Sequence, residues 1–333
     1  MRDNLYHEFR DIVKEIHPNI IVIENVKGIL SKKNKKGGKI IEDIISDFEN
    51  QGYNFENEKT GKKYVLVNAS DFGVPQKRER ILLIGINKNW KNVSIPHPTP
   101  THQSPELIKG KQQNLLPYVT LYEAIGDLPK VTPKTTMTGL SKKDAQKTIQ
   151  LNKNISSGND KIKLNKKAFE KHLANISLSG RKFYEFVRPN GYEFIDHHVS
   201  RNHQVSDLTL FTLMKEGETA GDFIERKPAI AKKLIKYKMN SFKDKYRKQK
   251  RDEPATTIFA HLEKDGNRFI HPTQSRTLTP REAARIQSFP DDFLFEGPIS
   301  KKFKQIGNAV PPLLSYVIAN EINKIYQSSD IHD

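Results

Sequence analysis

At 333 residues the chain is long enough for two domains, or for one domain with a large insertion. Its 56 Lys and Arg against 39 Asp and Glu give a formal charge of +17, which favours a polyanionic partner, most simply nucleic acid. Cysteine is absent, excluding disulfides, thiolate metal sites and any cysteine nucleophile from this chain; with no apolar run near about 18 residues and no signal peptide, a soluble cytoplasmic protein with no membrane partner is expected.

In chain order, Leu5, Phe9, Ile12, Val13 and Ile16 fall on one helical face, and Pro18 stops that helix. Asn19 to Gly28, NIIVIENVKG, is the stretch around which the rest is organised. Ile20 to Ile23 are continuously apolar and β-branched, which suits a parallel strand buried on both faces. Glu24, followed by Asn25, leaves that strand at its carboxyl end, where open α/β sheets place their ligand crevice. It is therefore a candidate general acid, with a solvated loop carboxylate as the plainer alternative. Ser31 to Lys39, SKKNKKGGK, reads as a flexible basic loop over the same crevice, either solvated or contacting phosphate. Ile41, Ile44, Ile45 and Phe48 repeat at helical spacing up to Gly52. Tyr64 to Val67 and Ile81 to Ile86 follow as strands, separated by NASDFGVPQKRER. In that connector Gln76, Arg78 and Arg80 alternate, so an extended backbone would put them on one face, suited to phosphate or base contacts or simply forming an exposed edge.

From Pro96 the texture changes to Pro, Thr, Gln and Lys, with Leu121 to Leu128 as one short amphipathic piece. Residues 130 to 250 read as a loop-rich inserted domain, with Phe183, Tyr184, Phe186, Tyr192, Phe194, Leu208 and Phe211 as its core candidates. Ala231 to Arg251 carries ten basic residues against one acid, interleaved with Tyr237, Phe242 and Tyr246; this fits a surface tracking a nucleic-acid backbone, or a solvated helix face. Pro254 to Phe259 and Arg268 to His271 look like two strands joined by a turn at 264–267. Thr279, Pro280 and Glu282 spell a capping box that specifies a helix through RTLTPREAARIQ. Finally GNAVPP, from Gly307, opens a helix with Leu314, Val317, Ile318, Ile322 and Ile325 on one side, which needs an apolar partner surface.

Taken together, ENV at 24–26, QKRER at 76–80, RTLTPREAARIQSFPDDF at 276–293 and GNAVP at 307–311 resemble the DNA cytosine-5 methyltransferases in order and spacing. ASDFGVPQKRERILLIG and YEAIGDLP are lesser phrases of the same kind. The resemblance implies an α/β fold, here an incomplete Rossmann-like methyltransferase sheet with a large inserted target recognition domain. The implied divisions are 1–96 for the catalytic part, 97–298 for recognition with its RTLTPREAARIQ scaffold helix, and 299–333 for a returning helix. It further implies methyl transfer from S-adenosyl-L-methionine to C5 of a cytosine flipped from double-stranded DNA, by addition of a cysteine thiolate to C6. Glu24 would hydrogen-bond and protonate N3 of that base, which requires it to hold a proton near neutral pH. Arg80, helped by Arg78, would position the base; Asn25, Gln76 and Arg281 would help position base or DNA; Asn308 and Val310 would line the cofactor pocket. A bacterial restriction–modification setting, with a cognate restriction endonuclease, is what the resemblance suggests.

The departure from the family pattern is large. A Gly-rich cofactor loop after a first strand, an acidic residue for the cofactor ribose and the Pro-Cys pair are all missing, and Lys36-Gly37-Gly38-Lys39 has the wrong spacing to replace the loop. Met1 to Leu5 resembles the middle of a family phrase. The expectation is thus the carboxyl-terminal part of such an enzyme, inactive alone and completed by a complementary chain carrying the Gly-rich loop and Pro-Cys; the alternative is a non-enzymatic DNA-binding remnant. Two physical corollaries follow. The Ile20 strand should be an unpaired apolar edge, and the Leu314 helix should lose its packing surface.

Overall fold

The computed structural model describes residues 2–91, 93–108, 115–133, 161–189, 191, 193–235, 245–264 and 266–328. The chain divides into two compact units, one of Met1–Phe72, Arg78–Pro100 and Leu314–Asp333, the other of Gly73–Lys77 and Thr101–Leu313. The second unit has other bounds than the segment expected at 97–298, since it begins at Thr101, runs on to Leu313 and takes in Gly73–Lys77.

In the first unit the elements are α1 (Arg2–Ile16), β1 (Ile20–Val26), α2 (Ile40–Glu49), β2 (Tyr53–Asn54), β3 (Val65–Asn68) and β5 (Glu79–Asn87). β5 is the centre of the sheet because its run of Ile and Leu is buried nearly throughout. β1 pairs along one side of β5, from Ile20 opposite Ile86 to Val26 opposite Arg80, and β2 and β3 pair along the other side. All three pairings are antiparallel. Gly85 is the residue that fits where β5 passes Ile21 and Phe55, since a Cβ there would lie 2.8 Å from both side chains. Phe48 of α2 is fully buried and meets Tyr53, Phe55 and Tyr6, while Tyr6 Oη donates to Asp47 Oδ2 at 2.6 Å.

Four expectations need correction here. β1 runs antiparallel to its neighbour and is not buried on both faces: Val22 and Val26 are 38% and 53% exposed. The continuous apolar run reflects one packed face plus an edge, since β5 is its one partner among the described residues. In α1 Val13 of the expected stripe is buried and Phe9 meets Phe48 edge-on at 5.7 Å, whereas Leu5, Ile12 and Ile16 face outward. The basic loop at 31–39 is a structured turn, because Asn34 Oδ1 accepts from the backbone N–H groups of Lys36 and Gly38 and Asn34 Nδ2 donates to Asp43. The helix Pro312–Ser328 also keeps a packing surface: Ile325 joins Ile84, Ile86 and Ile95, and Tyr326 stacks on Trp90 at 4.7 Å.

The second unit is built around the helix Pro280–Ile286, every residue of which is buried. The capping box is present as the sequence specifies, with Thr279 accepting from Glu282 N and Glu282 Oε2 accepting from Thr279 N at 2.8 Å. Leu121, Phe183, Tyr184, Val187, Ile258, Leu278, Ile286, Phe303 and Ile306 share one core, and Leu210, Phe211, Phe223, Tyr246 and Ile270 form a second. Phe194 is exposed, and Tyr192 and residues 236–244 of the basic stretch lie outside the described residues. The hairpin expected at 254–271 does not form. Ala255–Thr256 instead pairs in parallel with β4 (Gln76–Lys77), and short 3-10 helices occupy Ala260–Glu263 and Asn267–Phe269. Asp265 of its expected turn lies outside the described residues.

Gly307 illustrates how tightly this unit closes. It lies in the helix Ile299–Asn308, where a Cβ would sit 2.4 Å from Phe259 C and 2.5 Å from Ala260 N. Backbone cannot yield as a side-chain tip can. Gly307→Ala is therefore expected to lose about 1–3 kcal/mol through overpacking, despite the roughly 1 kcal/mol by which Ala favours a helix. Urea unfolding of the two proteins checks this, and a stabilised variant would contradict the close approach.

Candidate active site

β1, β5 and the residue just before β5 carry four of the candidate residues in the first unit, Glu24, Asn25, Arg78 and Arg80. Glu24 stands opposite Leu82, two positions before Val26, which faces Arg80 across the ladder. This diagonal brings Arg80 Nε to 2.7 Å from Glu24 Oε1. Oε1 is shielded from solvent and no donor meets it in hydrogen-bonding geometry, so the contact is held by charge; Arg80 Nη1 meanwhile donates to Glu79 O at 2.7 Å. Arg78 is almost wholly buried, with its backbone N–H donating to Asn68 Oδ1 at 2.9 Å. Burial, then repulsion from Arg80, lowers its guanidinium to about 10, with Glu24 opposing. Two guanidinium groups thus attend one carboxylate. Asn25 is half-buried and accepts from Val26 N at 2.8 Å, an arrangement that fixes the turn out of the strand. Lys27 and Glu79, paired at 3.1 Å on the exposed ends of the same strands, were not singled out from sequence, where nothing marks them as neighbours.

The remaining candidates belong to the second unit, and two do not offer a free group. Residues 76 to 80 alternate in burial, but the amide of Gln76 is spent internally: Nε2 donates to Gln287 Oε1 at 2.9 Å and Oε1 accepts from Ile258 N at 2.6 Å. Arg281, expected to position base or DNA, donates instead to three carbonyls, those of Asp196, Pro290 and Phe293, at 2.9–3.0 Å. Burial lowers its guanidinium to about 10. Both residues therefore act as internal cross-links, because a buried polar group must satisfy itself locally. Asn308 is exposed and Val310 half-buried at the junction between the helices Ile299–Asn308 and Pro312–Ser328. These two residues alone offer one amide and one apolar wall, too little to hold a nucleoside and an amino-acid zwitterion.

Sequence reasoning missed how completely the charges of the RTLTPREAARIQSFPDDF stretch are buried. Arg285 and Arg188 bridge Asp127 and Asp291: Arg285 Nη1 lies 2.9 Å from Asp127 Oδ1, Arg188 Nε 2.8 Å from Asp291 Oδ2, and Arg188 Nη2 2.9 Å from Asp127 Oδ2. Arg276 pairs with Glu282 at 2.6 Å. Burial pushes both carboxylates up, and the guanidinium groups of Arg285 and Arg276 override it, holding Asp127 and Glu282 well below the usual range. The gathering of Arg276, Arg281 and Arg285 with Glu282, Asp291 and Asp292 in one short stretch was the available signal.

The sequence model for C-5 cytosine-specific DNA methylase matches residues 1–324. The chain is 31% identical to M.OihORF3336P of Oceanobacillus iheyensis, provisionally named a type II methyltransferase, over 99% of this chain and 74% of the relative. It is 30% identical to the type II methyltransferase M.NgoFVII of Neisseria gonorrhoeae, over 100% of this chain and 67% of the relative. It is 29% identical to the type II methyltransferase M.Bpa9945I of Bacillus paralicheniformis, over 97% and 64%. The chain therefore spans between 64% and 74% of the length of these relatives. A prophage-encoded DNA modification methyltransferase of E. coli, also provisionally named, shares the fold with a TM-score of 0.63 at 22% identity, over 98% of this chain and 75% of that one. The chain belongs to the C-5 cytosine-specific DNA methylase family.

Proposed function

We propose that this chain is the base-handling and DNA-recognising portion of a DNA (cytosine-5)-methyltransferase acting in restriction–modification, and that its cysteine nucleophile comes from a polypeptide segment other than this one. The observation that carries the reading is the Glu24 and Arg80 pair at 2.7 Å, built by strands that bear ENV and QKRER. Glu24 would exchange its ionic contact with Arg80 for N3 of the flipped cytosine, taking a proton from solvent as the base enters and passing it to N3 as C6 is attacked. Arg80, released, would hold the base or its flanking phosphate, with Arg78 fixing the strand beneath it. S-adenosyl-L-methionine supplies the methyl group when bound; Asn308 and Val310 would be this chain's share of its site.

The absence of Cys from all 333 residues supports a second contributor. So do the edge of β1 left unpaired among the described residues, with Val22 and Val26 outward, and the outward stripe of Leu5, Ile12 and Ile16, which together offer a strand and an apolar face to a complementary chain. A cognate restriction endonuclease would act on the same site in that setting. Among the described residues no helix is long and apolar enough to cross a membrane.

The test measures labelled methyl transfer to mixed-sequence duplex DNA by this chain alone and with a polypeptide carrying the family's Gly-rich loop and Pro-Cys. Transfer is expected only in the mixture, and Glu24→Gln in the mixture should lower it by about 10²–10⁴-fold. Transfer by the chain alone would overturn the assignment. Salt-dependent duplex binding with no transfer in either tube would favour a non-enzymatic DNA-binding protein, the reading that the missing cysteine also allows.

A further inference from the structure

A cavity of about 540 Å³ in the second unit is lined, among the described residues, by five cations, Lys77, Arg247, Lys248, Lys250 and Arg268, against the carboxylate of Glu253. Its walls are fixed by backbone pairing. Parallel pairing of Ala255–Thr256 with Gln76–Lys77 sets Lys77 beside Thr256, and Thr257 Oγ1 donates to Lys77 O at 2.6 Å. Arg247 exchanges backbone hydrogen bonds with Asn267 and Ile270, and Gln249 N donates to Ile270 O, all at 3.0 Å. The Lys248 ammonium is spent on Phe211 O and Met214 O at 2.9 and 3.0 Å, which makes that lysine structural.

The other cations are presented differently. Lys77 and Lys250 flank Glu253 at 2.8 and 2.7 Å, and each is half-exposed. Gly217, at φ +80°, lets the Lys250 stem cross its turn, since a Cβ there would lie 2.6 Å from Lys250 Cε. Arg268 lies 5.2 Å over the ring of Phe259, which stands edge-on to Phe269. A half-exposed Lys–Glu pair contributes little to stability, so an anion that takes over either ammonium from Glu253 meets little resistance. Several converging cations, a hydroxyl rim and an aromatic wall suit a phosphate that belongs to a larger molecule.

The geometry points to a phosphodiester subsite for a nucleic-acid strand, formed by Lys77, Arg247, Lys250 and Arg268, in which Glu253 is an internal competitor for the phosphate. It deepens, and rests on, the DNA-recognising role proposed above. The test is fluorescence anisotropy of a short mixed-sequence duplex against the full chain over about 50–300 mM KCl. The variant K77Q/R247Q/K250Q should bind at least about 10-fold more weakly at low salt, equally on unrelated sequences. Its slope of log K against log salt should fall by about 1, since the subsite holds one phosphate and each phosphate contact contributes about 0.9. Glu253→Gln should act in the opposite sense and tighten binding. Unchanged melting temperature separates these effects from misfolding.

If wild type binds the duplex and neither variant shifts affinity or slope, the subsite is overturned while the methyltransferase reading stands. Stabilisation by inorganic pyrophosphate, lost in the triple variant, without duplex binding by wild type would assign the cavity to free phosphates and overturn the nucleic-acid assignment. The mixed-chain methyl-transfer assay judges the broader reading separately.

Discussion

Arg285→Met is expected to destabilise the second unit by about 3–5 kcal/mol, a large part of a domain's ordinary stability. Arg285 is fully buried and serves both acids of the network, Asp127 at 2.9 Å and Asp291 through two contacts, one of them Nη2 to Oδ2 at 2.7 Å; it also donates to Ala124 O at 2.8 Å. Arg188 cannot neutralise both carboxylates alone. Met fills similar volume but leaves an uncompensated buried negative charge, and the cost is that of the stranded charge rather than of lost packing. Lys is no substitute, because one ammonium cannot reproduce the planar fork that reaches two carboxylates and a carbonyl. Removing one stranded charge should restore part of the loss, so R285M/D291N is expected to be more stable than Arg285→Met. Lys324→Met, at the exposed pair with Glu321, should change stability by less than about 1 kcal/mol. Urea melts of the four proteins check the ordering; an Arg285→Met protein as stable as the Lys324 variant would show that the network is solvated rather than buried.

The sequence was most legible where local chemistry decides. The capping box at Thr279 and Glu282 forms because it needs only four consecutive residues, and Gly52 takes its left-handed φ of +92° at the end of α2 for the same reason. The strands at 65–68 and 79–87 were readable from their composition. Partner direction was not: an apolar run does not say whether its neighbour is parallel, so β1 was assigned a doubly buried place that it does not occupy. The helix face of α1 was misjudged likewise, since periodicity marks an apolar stripe without saying what covers it. At the candidate site, the motifs led to Glu24 and Arg80, whose pairing the strand register explains. The same motifs named Gln76 and Arg281, whose polar groups turn inward, because motif membership cannot separate a residue that touches substrate from one that holds the fold. Gly307 is legible only afterwards, through a backbone contact some 47 residues away in sequence, between Gly307 and Ala260.

Mild acid should unfold the second unit before most carboxylates titrate. His102, His203 and His271 are each lowered to about 4, chiefly by burial, with Lys182 adding for the first, and Arg201 then Arg276 for the second. For His271, Glu282 opposes the shift. The geometry agrees, since His271 Nδ1 accepts the backbone N–H groups of Thr273 and Gln274 at 3.1 Å and so must stay unprotonated. In the unfolded chain a histidine titrates near about 6.5. Between about pH 6.5 and 4 the unfolded state therefore binds protons that the native state refuses, and stability falls as pH falls. Each histidine contributes a slope of up to about 1.4 kcal/mol per pH unit, or about 2 kcal/mol by pH 5; His102 is less enclosed and adds less. The carboxylates act in a lower window. Asp127 and Glu282 contribute stability that is present above about pH 4 and is lost as pH drops through their depressed native values. The combined loss of about 5 kcal/mol by pH 5 is comparable to a domain's whole stability, so circular dichroism should report cooperative unfolding near pH 5. His271→Asn, which keeps an acceptor for the two N–H groups and cannot titrate, should shallow the dependence of urea stability on pH by close to one proton. Stability that stays level from pH 7.5 to 5 would mean that these imidazoles are solvated in the native protein.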